Sequence, residues 1–167
     1  YANGGEASVY DHLKNAIRFS MERLGAHAMP AGLHADWNDC LRMGAKGEST
    51  FVAFQLYYAM SVIKDMAGDI EYVSYIEKVQ SELGASLEKC WDEDRFIRGI
   101  REDGVIVGAK NDPEASMWLN PQSWSVISKF ASNKQAEDAL NSVHDILNTP
   151  YGAKLLDPPY KDHYFDG

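Results

Sequence analysis

"STFVAFQLYYAMSVIKDMAG", residues 49–68, carries apolar side chains on nearly every side of a helical wheel. Ser49 or Thr50 opens the helix and Gly68 closes it. A helix with so little polar face belongs between layers, not on a surface stripe. Upstream, "SVYDHLKNAIRFSMERLG" (residues 8–25) places Val9, Leu13, Ile17 and Leu24 at helical spacing, with Ser8 as cap and Gly25 as stop. Downstream, residues 69–93 predict a longer amphipathic helix capped by Asp69, with Val73, Ile76, Val79, Leu83 and Leu87 on one face. "RFIRGIREDGVIVGA" (95–109) changes period, and Asp103-Gly104 between β-formers predicts a short hairpin. A helix after Asn120, with Pro121 at its first position, and another over residues 133–152, closed by Pro150 and Gly152, complete the reading.

About five helices, one small β-hairpin and no β-α alternation predict an all-α architecture of antiparallel helix pairs. No helix repeats another, so a short-repeat solenoid is not expected. The 167 residues suffice for one sizeable core. A formal net charge of -9 argues against a nucleic-acid backbone as partner, because phosphate contacts need clustered Lys and Arg. No apolar run reaches the roughly 20 residues of a membrane span. Cys40 and Cys90 have no zinc or CxxC spacing, which predicts two free thiols in a reducing, cytoplasmic setting. The chain starts at Tyr1 and stops after "LLDPPYKDHYFDG", so it reads as a segment of a longer polypeptide.

Between the first two helices lies a long loop, residues 26–48, of a length usually reserved for function. It holds "GLHADWNDCLRMGAKGES" (32–49), which sets Asp36, Trp37, Asn38 and Asp39 side by side. Two carboxylates three apart can cap or fix a turn, bind a cation, or do acid–base work. Only Glu48 adds a nearby carboxylate, so no metal is expected. Trp37 is either core or a wall for the flat C–H face of a sugar, whose hydroxyls would seek Asp and Asn. A carboxylic acid held against such a wall keeps its proton to higher pH. His34 lies near the run, where it is either a packed or surface side chain or a residue that shapes the loop. Cys40 has no base beside it in sequence and reads as a small buried thiol. "MGAKGES" lacks the spacing of a phosphate-binding P-loop.

The run Ala-Asp-Trp-Asn-Asp followed by Gly-Glu-Ser closely resembles the signature of the disaccharide phosphorylases of glycoside hydrolase family 94. "YANGGEASVYDHLKNAI", "FVAFQLYYAM", "WLNPQSWSVIS" and "TPYGAKLLDPPY" resemble further segments of that family. The resemblance implies part of an (α/α)6 catalytic barrel over residues 1–167, truncated at both ends. It implies Asp39 as general acid, Trp37 lining the donor-sugar site, Asp36 fixing the loop and Asn38 donating or accepting beside the sugar, so that Trp37, Asn38 and Asp36 form the substrate-binding set. Gln122 and Trp124 of the "NPQSW" segment are expected to be structural. No cofactor is implied; inorganic phosphate is a co-substrate.

The implied reaction is inverting phosphorolysis of a β-linked disaccharide. The implied partners are that disaccharide, phosphate, the remainder of the parent chain and, for the full-length protein, a second copy. The sequence around residues 46–60 looks more like the chitobiose or laminaribiose branch than the cellobiose branch. An inverting hydrolase on a similar helical barrel, or a catalytically silent sugar-binding module, remains an alternative on the residues alone. In the family, the phosphate-gripping histidine segment follows "LLDPPY" and the residues gripping the donor sugar precede "YANGGE". The isolated segment is therefore expected to be inactive and to expose an apolar barrel edge.

Overall fold

The computed structural model describes residues 5–38 and 41–161. Among them are five α-helices: α1 (Val9–Met21), α2 (Thr50–Met66), α3 (Ile70–Glu88), α4 (Leu119–Ile127) and α5 (Asn133–Ser142). Four begin at a side chain that takes otherwise free backbone N–H groups. Ser8 accepts from Asp11, Ser49 from Val52, and Asp69 from both Glu71 and Tyr72. Ser132 and Gln135 form a reciprocal capping box at α5. At α4 the cap position is Trp118, whose side chain makes no capping bond. That helix starts at Leu119, so Pro121 is its third residue and not its first.

α2 packs chiefly against α3 and α4. Phe54, Met60 and Ile63 of α2 share one buried cluster with Ile76, Val79, Leu83 and Leu87 of α3. Burying each such side chain stabilises the fold by about 1.5–3 kcal/mol before chain entropy is counted. Phe54 stands edge-on to Phe96, with ring centroids 5.0 Å apart, and Phe130 lies 5.4 Å from Phe54 and 5.2 Å from Tyr57. α2 is not covered all round, however. Its Tyr58, Val62 and Met66 are exposed and, with Leu13 and Ile17 of α1, line an open apolar groove of about 380 Å³.

The single expected hairpin is one of several short antiparallel pairings among the described residues. β4 (Gly99–Ile100) pairs with β5 (Ile106–Val107), as read, around Gly104 at φ 84°. The other edge of β4 pairs with β1 (Glu48–Ser49), which ties the start of α2 to the hairpin. β2 (Trp91–Asp92) and β3 (Arg95–Phe96) form a tighter hairpin through Glu93 at φ 61°. It occupies the expected end of the third helix. α3 stops at Glu88, where Lys89 and Cys90 donate back to the Ser86 and Leu87 carbonyls. β6 (Met117–Trp118) pairs with β9 (Leu156–Asp157), and β7 (Asn148–Thr149) with β8 (Gly152–Ala153). The last helix is correspondingly shorter than expected: α5 passes into a π-helical turn, Val143–Leu147, and then into β7. Strands of two residues have no period to read, and the partners of β1 and β6 are remote in sequence.

Gly25 is not the stop of the first helix, which ends at Met21. It is a point of close approach. The buried Glu48 carboxylate accepts the Met29 N–H at 2.9 Å and the His27 N–H at 3.0 Å, and lies 2.6 Å from His27 Nδ1. A Cβ on Gly25 would overlap that carboxylate. Cys90 is a free buried thiol, and burial pushes its pKa up to about 11, so it is inert at neutral pH. Cys40 lies outside the described residues.

Gln122 is wholly buried. Its amide accepts from the Phe96 N–H at 2.8 Å and donates to the Phe96 carbonyl at 2.8 Å and the Trp118 carbonyl at 3.1 Å. With its side chain committed to the backbone, Gln122 is structural. Trp124 packs between Phe51 and Tyr58. Gln122→Leu leaves the Phe96 N–H and carbonyl unpaired at about 1–3 kcal/mol each. The Phe96 amide is expected to exchange with deuterium at least tenfold faster, roughly what that energy implies; hydrogen-exchange mass spectrometry checks it.

Candidate active site

The loop ahead of α2 is held on three sides. Gly32 and Leu33 donate to the Gly47 and Ala45 carbonyls at 2.8 and 2.9 Å. Leu33 and His34 then take φ values of 53° and 66°, a left-handed pair that turns the chain toward Asp36. Two successive non-glycine residues in this region store strain, which persists only where the surroundings enforce it. His34 is exposed and contributes through its backbone.

Arg98 enforces the next part. It sits between β3 and β4, with its N–H on the Val107 carbonyl at 2.8 Å and its carbonyl accepting from Thr50 at 3.2 Å. Its guanidinium is fully buried and forms an ion pair with Asp36, whose side chain is 1% exposed. One terminal nitrogen, Nη2, donates to Asp36 Oδ1 and also to Asn38 Oδ1 at 3.0 Å. The other, Nη1, donates to Ser49 Oγ at 2.7 Å. The guanidinium carbon lies 5.6 Å from the Phe51 ring centre and 5.3 Å from that of Trp118. Gly108, at φ 77°, makes room: a Cβ there would press on Trp118 and Arg98. Burial pulls the Arg98 pKa down from its usual range, and the Asp36 carboxylate opposes that pull.

Asp36 thus fixes a turn and does not cap a helix. Its Oδ1 also accepts the Asn38 N–H at 2.9 Å, while α2 is capped by Ser49. Trp37, between two inward-facing polar neighbours, is 78% exposed, so it is not core. Asp39 lies outside the described residues. The chain is anchored on either side of residues 39–40: Leu41 is buried and donates to the Asn38 carbonyl at 2.7 Å, and Met43 is buried with its carbonyl accepting from Glu102 at 2.9 Å. Glu48 is spent on the His27–Met29 turn. Among the described residues no group of three or more His, Cys, Asp or Glu side chains is arranged to hold a metal ion, and no helix is long and apolar enough to cross a membrane.

Arg98 escaped the sequence reading. A signal was present: an arginine amid Phe96, Ile97, Gly99 and Ile100 is set in a buried run, and buried arginines are almost always paired.

The whole chain, residues 1–167, matches the profile of the glycosyl hydrolase 94 superfamily catalytic domain. The chain belongs to that family. It is 36% identical over 166 residues to an N,N'-diacetylchitobiose phosphorylase of Vibrio proteolyticus, covering 96% of this chain and 21% of that protein. It is 30% identical over 171 residues to a solabiose phosphorylase of Paenibacillus borealis, covering 98% of this chain and 22% of the relative. It is 31% identical over 166 residues to a cellobionic acid phosphorylase of Neurospora crassa, covering 95% and 21%. The chain spans about a fifth of the length of these curated relatives. Membership in the glycosyl hydrolase 94 superfamily agrees with the resemblance carried by the Asp36–Asp39 run.

Burial separates the members of that run in energy. Asp36→Leu strands the Arg98 charge in the interior and is expected to destabilise by about 4 kcal/mol. Trp37→Ala removes an exposed ring and is expected to change stability by less than about 0.5 kcal/mol. Denaturant unfolding of both variants, in the polypeptide that carries this segment, measures the contrast.

Proposed function

We propose that this chain is the acid-bearing part of an (α/α)6 barrel in an inverting disaccharide phosphorylase, with Asp39 as general acid. Trp37 lines the donor-sugar site there, with Asn38 and Asp36 supporting it from below. The observation that carries the reading is the Arg98 clamp: it holds residues 36 and 38 inward and leaves Trp37 exposed, in a chain with several relatives named as phosphorylases.

Protonated Asp39 gives its proton to the glycosidic oxygen as that bond breaks, and inorganic phosphate attacks the opposite face of the sugar. An inverting hydrolase needs a second carboxylate to activate water. Phosphate is already an anion, so one carboxylate suffices. It must instead be held by cations and N–H donors. Arg98 does not serve, because its charge is committed to Asp36. The family resemblance implies that the phosphate-holding groups come from other parts of the parent polypeptide. The groove between α1 and α2 offers an apolar seat for those parts. No cofactor or metal enters the scheme, and the full-length protein is taken to be a homodimer.

Three relatives named for three different disaccharides lie at 30–36% identity over this same segment. That spread supports a segment carrying shared leaving-group chemistry, with linkage specificity set elsewhere. Diacetylchitobiose is the first substrate to try.

The full-length polypeptide should release sugar 1-phosphate from one β-linked disaccharide only when inorganic phosphate is present. Asp39→Asn should lower that rate by roughly 10²–10⁴-fold, the usual contribution of a general acid. Sugar cleavage without phosphate would replace the reading with a hydrolase. Sugar binding without turnover would replace it with a binding module. The isolated 167-residue segment should show no turnover.

A further inference from the structure

We infer that Asp103–Gly104 is a site of spontaneous isoaspartate formation and that the Arg101 side chain holds this modification in check. The inference is independent of the reaction proposed above. Among the described residues this is the sole Asp–Gly or Asn–Gly step. It lies at the tip of the β4–β5 hairpin, where residues 102–106 are exposed. Gly104 has φ 84°, and nothing stands within 4 Å of the position a Cβ would take there. With no Cβ beside it, a glycine nitrogen reaches the preceding carboxyl carbon with the least steric hindrance.

The step needs no reagent beyond water. The Gly104 nitrogen bonds to Asp103 Cγ, and the Cγ–oxygen bond of the carboxylic acid breaks. The amide proton and the carboxyl proton leave with that oxygen as water, and a cyclic succinimide remains. Water then adds to one of the two carbonyl carbons of the ring. Opening at Cγ restores aspartate. Opening at the main-chain carbonyl carbon of Asp103 gives isoaspartate, which routes the main chain through Cβ and Cγ and lengthens it by one carbon. The reacting groups are all engaged in the fold. The Gly104 N–H donates to the Arg101 carbonyl at 2.9 Å. Asp103 Oδ2 accepts from Arg101 Nη2 at 2.8 Å, and Oδ1 accepts the Val105 N–H at 3.2 Å. Arg101 thus holds the nucleophile through its carbonyl and one carboxyl oxygen through its side chain. The side-chain contact is a partly exposed ion pair, so salt weakens it. The turn also bears on the candidate loop. The Arg101 N–H closes onto the Val105 carbonyl at 2.8 Å, and the Glu102 N–H onto Met43. An extra main-chain carbon at residue 103 falls inside the first closure and beside the second, so isoaspartate there loosens the hold of the hairpin on the loop exit.

The test incubates the full-length polypeptide in heavy-oxygen water at physiological temperature and neutral pH, then digests it in ordinary water. Each opening of the succinimide fixes one heavy oxygen in the peptide that carries Asp103, which mass spectrometry reads, and chromatography separates isoaspartate from aspartate. The wild type should gain label at residue 103, roughly tenfold or more slowly than a synthetic peptide of residues 99–107, which has no fold to hold the turn closed. Arg101→Gln should raise the rate in the folded chain by about fivefold, the scale of an exposed ion pair. Molar salt should bring the wild type toward the variant. Asp103→Glu, which would have to close a larger ring, should stay unlabelled.

If wild type and Arg101→Gln both stay unlabelled while the peptide converts, the site is overturned. Equal rates in the two folded chains, or a wild type as fast as the peptide, would remove Arg101 as the brake. The same difference between the two chains in urea would do so too, because only an effect of sequence, and not of contact, survives there. The salt arm uses the unaltered protein, so it decides the matter if the substitution disturbs the hairpin: a wild-type rate indifferent to salt overturns the ion pair's role.

Discussion

The ion pair between Arg98 and Asp36 is the constraint on which the rest of this segment depends. Both side chains are removed from water, so each charge needs the other in place. Asp36 lies in a loop without regular structure, and Arg98 lies between two short strands 62 residues further on. Satisfying the pair therefore fixes a long-range closure that no helix propensity supplies. Once it forms, Ser49 is drawn to the same guanidinium, the start of α2 is located, and β1 is brought against β4.

Two adjacent residues divide the work on the other side of that junction. Ser49 ties α2 to Arg98, while Glu48 turns back to hold the His27–Met29 segment through backbone N–H groups. Glu48 and Ser49 are buried, and both belong to β1. A two-residue strand thus anchors the loop at its origin and at its exit. The glycines serve this crowding. Gly25 admits the Glu48 carboxylate, and a Cβ at Gly99 would run into the Glu48 carbonyl. These glycines are required by close approach and not by turn geometry.

The helices were legible in the sequence because their starts are chemical. Ser8, Ser49 and Asp69 are short polar side chains ahead of apolar periods, and each takes the expected N–H groups. Helix ends were less legible, because they depend on what the chain does next. α3 yields to a hairpin that needs Glu93 at positive φ, and α5 yields to a π turn and then to β7. Apart from the β4–β5 hairpin, the small pairings gave no periodic signal, being two residues long and, for β1–β4 and β6–β9, paired across up to about fifty residues of chain. At the candidate site, the Asp-Trp-Asn-Asp run marked the place, and the Asp36 turn was one of its readings. Its counterion could not be located from spacing, since a pairing over that distance is a tertiary fact.

Rigidity beneath and exposure above are what the loop would need together to serve as the proposed sugar site. Side chains that meet a ligand are useful only if their own positions are settled by contacts made elsewhere. Here Asp36 Oδ1 and Asn38 Oδ1 both accept from Arg98, one on each side of Trp37. The indole is left exposed without being left loose, because the backbone on either side of it is tied to a buried charge. The strained pair Leu33 and His34 belongs to the same device. Their left-handed turn costs energy, and the Gly32–Gly47 and Leu33–Ala45 hydrogen bonds on one side and the Arg98 clamp on the other hold it in place.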